Sequence, residues 1–132
     1  MSFVIDASIA ANWYFDDERD SRADHALTLL NEEVALAPLQ WWFEIHNVVL
    51  LGERRKRGSE QHTTSFLAML DQMSIELAGL PDQESVLSLA RKHRLTFYDA
   101  AYLELAKRKK LPLATLDNAL ADAARAEGIA LI

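Results

Sequence analysis

Pro112-Leu113-Ala114-Thr115-Leu116-Asp117 follows the helical run Tyr98–Lys109 after only Lys110 and Leu111. Proline ends the helix, and the uncharged stretch Leu113–Leu116 then suits a short buried strand. The same unit recurs outward along the chain. Ser2-Phe3-Val4-Ile5 is a β-rich run ending at Asp6, and Val34-Ala35-Leu36-Ala37 is stopped by Pro38. Ser74–Ala78 is weakly strand-like, and Ile129–Ile132 follows Gly128 as a terminal strand. Helical patterns lie between them. They cover Ile9–Phe15, Ser21–Glu33, Leu39–Arg57 closed by Gly58, Ser59 to about Met73, Glu84–His93, Tyr98–Lys109 and Asn118–Glu127. Short apolar strands alternating with longer helices predict a parallel sheet covered on both faces. The fold expected is one three-layer α/β/α domain over residues 1–132, with four or five strands.

Composition agrees with that reading. The 132 residues are 50% hydrophobic and 26% charged, with four Gly and three Pro, so the connections should be short. Cysteine is absent, which excludes disulfide scaffolds, thiolate metal sites and cysteine nucleophiles. The longest apolar candidate, Val34–Phe43, is interrupted by Pro38 and Gln40 and falls short of the ~18 residues of a membrane span. Asp6, Asp16 and Asp17 come early with no basic segment before them, so a cytoplasmic protein without a signal peptide is expected. The net charge is −6, which alone disfavours a nucleic-acid partner. The bases are segregated, however, into Arg54-Arg55-Lys56-Arg57 and Lys107-Arg108-Lys109-Lys110. Each run closes a predicted helix, where it complements the helix dipole or offers a rail to phosphates.

Four acids stand in costly places. In a parallel sheet, ligands bind outside the carboxyl ends of the strands. Asp6 and Asp117 each follow a strand directly, so both should stand at that edge, as helix N-caps or as ligands. Glu44 has Trp41, Val48 and Leu51 at i−3, i+4 and i+7, so it shares an apolar helix face. A carboxylate there costs several kcal/mol unless a partner or cation compensates it. Asp99 repeats the pattern with Tyr102, Leu103 and Ala106, and also suits the first turn of its helix. Converging acids would raise one another's pKa values, and oxygen-only ligation suits Mg²⁺ or Mn²⁺.

Val4-Ile5-Asp6-Ala7-Ser8, Glu44-Ile45-His46-Asn47-Val48, Tyr98-Asp99-Ala100-Ala101-Tyr102 and Thr115-Leu116-Asp117 together resemble the PIN-domain ribonucleases, most closely the VapC toxins of toxin–antitoxin pairs. The motifs stand in the family's order and span residue 4 to about 120. The resemblance implies that Asp6, Glu44, Asp99 and Asp117 form the acidic metal-binding and catalytic quartet, with Ser8, Asn47 and Thr115 as accompanying polar groups. It implies Mg²⁺- or Mn²⁺-dependent endonucleolytic cleavage of RNA, a cognate antitoxin and a homodimer. Asn12 departs from the basic residue common in VapC relatives, and Asn118 and Asp122 leave a fifth ligand open.

Trp41, Trp42 and Phe43 cannot all face the core, so at least one should be exposed, at an interface or in ordinary packing. His25, His46, His62 and His93 lack metal-ligand spacing, and Ser8 has no His–acid relay. Two rival readings remain. A receiver-like Mg²⁺-binding signalling domain would carry an acidic pair after its first strand, whereas Asp6 is followed by Ala7-Ser8. A non-catalytic PIN-like binding module would keep the fold without the activity.

Overall fold

The computed structural model describes residues 2–132. The chain runs β1 (Ser2–Ile5), α1 (Ala7–Tyr14), α2 (Ser21–Leu29), β2 (Val34–Ala37), α3 (Gln40–Arg54), α4 (Glu60–Asp71), β3 (Ile75–Leu77), α5 (Gln83–His93), α6 (Phe97–Lys109), β4 (Leu113–Ala114) and α7 (Asn118–Ala126). The four strands form one parallel sheet in the order β3-β2-β1-β4. The expected α/β sheet is therefore present with four strands. The fifth, at Ile129–Ile132, reduces to a single bridge between Leu131 and Leu113. One reason lies in the partner: β4 is only two residues long and offers little length for a ladder.

The central strand is the most apolar. Phe3, Val4 and Ile5 are fully buried, as are Ala35 and Ala37 of β2 and Leu113 of β4. Helix α6 is enclosed from Ala100 to Ala106, so it serves as core rather than as a surface helix. Side-chain caps fix where helices begin. Asp20, Ser59, Asp82, Thr96 and Asp117 accept from Arg22, His62, Ser85, Asp99 and Leu120 N–H respectively. The connections α5–α6 and α6–β4 turn through Arg94 and Lys110, both in the left-handed region.

Helix α3 stops at Arg54, three residues before the expected end. Lys56 supplies the positive φ of that turn, and Gly58 is required for a different reason. A Cβ at Gly58 would lie 2.0 Å from Tyr14 Oη and 2.8 Å from its Cζ. Tyr14 cannot move aside, because it is fully buried and its hydroxyl is 3.0 Å from Thr63 Oγ1. Gly58→Ala should therefore lower stability by about 1–3 kcal/mol through overpacking. Urea unfolding checks this, and Tyr14→Phe in the same chain should recover part of the loss by removing the clashing oxygen.

The α5–α6–α7 corner is held by charge. Glu127 accepts from Lys107 Nζ at 2.6 Å and pairs with Lys92 at 2.8 Å and His93 at 2.6 Å. Lys107 above all, then Lys92 and His93, hold its carboxyl down at about 2. No helix among the described residues is long and apolar enough to cross a membrane.

Candidate active site

The sheet delivers Asp6 first. Asp6 N–H bonds Ala114 O at 3.0 Å, which extends the β1–β4 pairing by one residue and sets Asp6 against Thr115. Thr115 Oγ1 and Ser8 Oγ both donate to Asp6 Oδ2, each at 2.7 Å. The two hydroxyls also act as acceptors: Leu116 N–H donates to Ser8 at 2.9 Å, and Asp117 N–H to Thr115 at 3.0 Å. One network thus locks the loop after β4 onto the loop after β1. Asp6 occupies the N-cap position of α1 but makes no side-chain cap bond, so the capping alternative fails there. Asp117 does cap, its Oδ1 accepting from Leu120 N–H at 3.1 Å.

Glu44 comes from the second turn of α3 and Asp99 from the first turn of α6. The buried face of α3 is Trp41, Ile45, Val49 and Gly52, and Glu44 stands beside it, half-buried. Tyr102 Oη donates to Glu44 Oε1 at 3.1 Å. Gln40 donates its side-chain amide to the Tyr98 carbonyl, tying the starts of α3 and α6 together. Tyr102 and Gln40 were not singled out from sequence as site residues.

The four acids share one electrostatic environment. Burial pushes Glu44 up to about 7; Tyr102 opposes this, and the charges of Asp6 and Asp99 add to it. Burial likewise raises Asp6, which is only 6% exposed, against its two hydroxyl donors and with a contribution from Asp99. Asp99 is raised by burial and then by Asp117, and lowered by Thr96. Burial, with Asp6 and Glu44 nearby, also raises the Tyr102 phenol, which stays a protonated donor. Among the described residues, however, no three His, Asp or Glu side chains converge closely enough to enclose one ion. Like charges at this range repel, and Asp6, Glu44 and Asp117 each turn toward their own hydrogen-bond donors. The donor set fits a hard divalent cation: four carboxylates and no sulfur, with proton affinity raised at Asp6, Glu44 and Asp99 that a cation would reverse.

Other expected site residues sit elsewhere. Asn47 is exposed on α3, next but two to Glu44. Asn12 braces the α1–α2 loop through the Glu18 carbonyl and Asp20 N–H. Asn118 is exposed, and Asp122 pairs with Arg125 at 2.9 Å. The basic runs lie at the C-terminal ends of α3 and α6, whereas Glu44 and Asp99 lie near the N-terminal ends. Ten residues separate Glu44 from Arg54, about 15 Å along the helix. Arg57 is spent on Asp17 and Glu18, Lys107 on Glu127, and Arg108 on the buried Glu104. A cavity of about 620 Å³ between α5 and α6 is lined by Glu84, Ser88, Glu104 and Arg108, and by none of the four carboxylates. Of the three aromatics in a row, Trp41 is buried while Trp42 and Phe43 are exposed, as helical geometry requires.

The four-stranded parallel sheet sets the α/β class, and the family model of the PIN domain matches residues 3–126. The chain belongs to the PIN domain family. It is 32% identical over 125 residues to Ribonuclease VapC3 of Pyrobaculum aerophilum, covering 92% of this chain and 94% of that one. The crystal structure of PAE2754 from the same organism superposes with a TM-score of 0.67 at 21% identity, over 93% of this chain and 84% of that chain. Mycobacterium tuberculosis VapC20, described as a sarcin-ricin loop cleaving toxin, superposes with a TM-score of 0.60 at 15% identity, over 92% and 94%. These two show the shared fold. The receiver-domain alternative is set aside.

Proposed function

We propose that this chain is a single-domain, divalent-metal-dependent endoribonuclease acting in the cytoplasm as the toxin of a toxin–antitoxin pair. Asp6, Glu44, Asp99 and Asp117 would hold its Mg²⁺ or Mn²⁺. The observation that carries this reading is the mutual charge of four carboxylates at one sheet edge, in a chain 32% identical to a VapC ribonuclease. When bound, the ion supplies positive charge for phosphodiester hydrolysis and lowers the pKa of water. Ser8 and Thr115 fix the Asp6 carboxylate, and Tyr102 fixes Glu44. One of these carboxylates would accept the proton released as water attacks phosphorus and the bond to the 3′ oxygen breaks.

Defined RNAs incubated with Mg²⁺ or Mn²⁺, and in parallel with EDTA, test the reading. Cleavage that needs the ion supports it. Cleavage indifferent to EDTA overturns the metal role, and no cleavage with either ion leaves a non-catalytic binding module.

The unpaired bases Arg54, Arg55, Lys56, Lys109 and Lys110 serve here as outer phosphate contacts, beyond reach of the scissile bond. Neutralising Arg54, Arg55 and Lys56 should flatten the salt dependence of RNA binding by roughly 0.7 in log–log slope per lost contact. Titrations at several salt concentrations check this; an unchanged slope would reduce the run to helix-end charge.

A cognate antitoxin completes the proposal. Its occupancy would be favoured by a basic side chain among the carboxylates, which attract a guanidinium for the reason they attract a metal. A groove of about 440 Å³ between α3, α4 and β3, lined by Trp41, Trp42, Ile45, Leu67, Leu70 and Met73, supports such a partner. The exposed Trp42 and Leu50 on α3 support a homodimer.

A further inference from the structure

Two large aromatic rings stand in solvent beside the acids. Phe43 precedes Glu44 and is 69% exposed; Tyr98 precedes Asp99 and is 65% exposed. Neither ring contributes to the core, and neither makes an aromatic contact that would account for both. Their positions are nevertheless fixed. Phe43 is held by helix α3 and packs edge-on against Trp42, with ring centroids 5.1 Å apart. Tyr98 sits in the first turn of α6, directly after the Thr96 cap, and its carbonyl receives the Gln40 amide. Gln40, three residues before Phe43, thus ties the start of α3 to the start of α6.

From this juxtaposition we infer that Phe43 and Tyr98 form a stacking rim that receives the nucleobases flanking the scissile phosphodiester, a role that rests on the ribonuclease reading above. A phosphodiester held at the carboxylates has a base attached within one nucleotide on either side. An exposed ring stacks on the π-face of any base, but only when that base is free of its own neighbours. The two basic runs lie at the far ends of α3 and α6, away from Glu44 and Asp99. Stacking therefore takes over the positioning that phosphate contacts supply in basic nucleases. The rim selects unpaired RNA and is tolerant of base identity.

The test measures cleavage of a short unpaired RNA by wild type, Phe43→Leu and Tyr98→Leu. The same RNA carrying abasic sites on both sides of the cleaved bond is the control. Leucine keeps apolar bulk and helix propensity but removes the aromatic face. Each leucine variant should raise KM about 5- to 150-fold on the intact RNA, the range of one lost base stack, with a much smaller change in kcat. On the abasic RNA the penalty should vanish, because no base remains to stack. Tyr98→Trp should recover the KM lost in Tyr98→Leu. Equal penalties on both RNAs, or wild-type KM in both leucine variants, would overturn the stacking rim while leaving the nuclease reading intact. Wild-type protein that neither cleaves nor binds the intact RNA would overturn both. Sedimentation of the same variants gives the remaining arm: a dimer that dissociates on Tyr98→Leu assigns the ring to a second copy and overturns the proposal.

Discussion

Asp6→Asn should lower RNA cleavage about a thousandfold or more, since metal charge is worth several kcal/mol in the transition state. The variant should nevertheless fold, and in EDTA at neutral pH it should melt above wild type. Both hydroxyl donors reach the same oxygen of Asp6, Oδ2. An asparagine carbonyl oxygen can take that place, so the network joining β1 to the β4–α7 loop survives. What disappears is a buried negative charge, already raised by burial and by Asp99. Asp117→Asn should behave alike, because asparagine caps a helix about as well as aspartate and Leu120 N–H keeps its acceptor. Nuclease rates in Mg²⁺ and melting curves in EDTA check both halves. A fully active Asp6→Asn protein would remove the metal site from this edge of the sheet.

How much of this was legible in the sequence depended on distance along the chain. The alternation of short apolar strands and longer helices gave the α/β class, and strand-then-acid gave Asp6 and Asp117 their edge. Ser59 as a cap, and one buried and two exposed rings at positions 41–43, follow from local geometry alone. The misreadings arose where a distant contact decided. Gly58 resembles a helix stop, but its lack of a side chain answers to Tyr14, on another helix. The terminal strand failed for want of a longer β4. Tyr102–Glu44 and Gln40–Tyr98 each join residues 58 positions apart, and no spacing rule reaches that far. The basic runs were visible as charge, but their engagement was not. Only Arg108–Glu104, at i and i+4, lay within reach of a helical rule. Glu127, which takes up Lys107, sits 20 residues away on another element.

Glu44→Gln should be inactive in RNA cleavage yet gain stability over wild type in EDTA, by an amount that depends on pH. The glutamate titrates at about 7 in the folded protein, against an ordinary value of 4.5. Below 4.5 the group is protonated in both folded and unfolded chains and costs nothing. As pH rises from 4.5 towards 7 the unfolded chain ionises first, so the wild-type fold loses stability progressively, and above 7 the loss is complete. Burial is the leading cause, with Asp6 and Asp99 adding repulsion, and partial access of water reduces the penalty to about 1–3 kcal/mol. Glutamine carries no charge at any pH, and its side-chain oxygen can still accept from Tyr102. The stability gap between variant and wild type should therefore be near zero at pH 4, open between pH 4.5 and 7, and stay level above. Adding Mg²⁺ should close it from the other side, by stabilising wild type more than the variant, since a ligand that binds only the fold raises its stability. Melting curves across pH, with EDTA and then with Mg²⁺, measure both effects. A gap that is flat with pH would mean that Glu44 is an ordinary surface acid, and a pH-dependent gap that Mg²⁺ leaves untouched would keep the buried charge but deny it the metal.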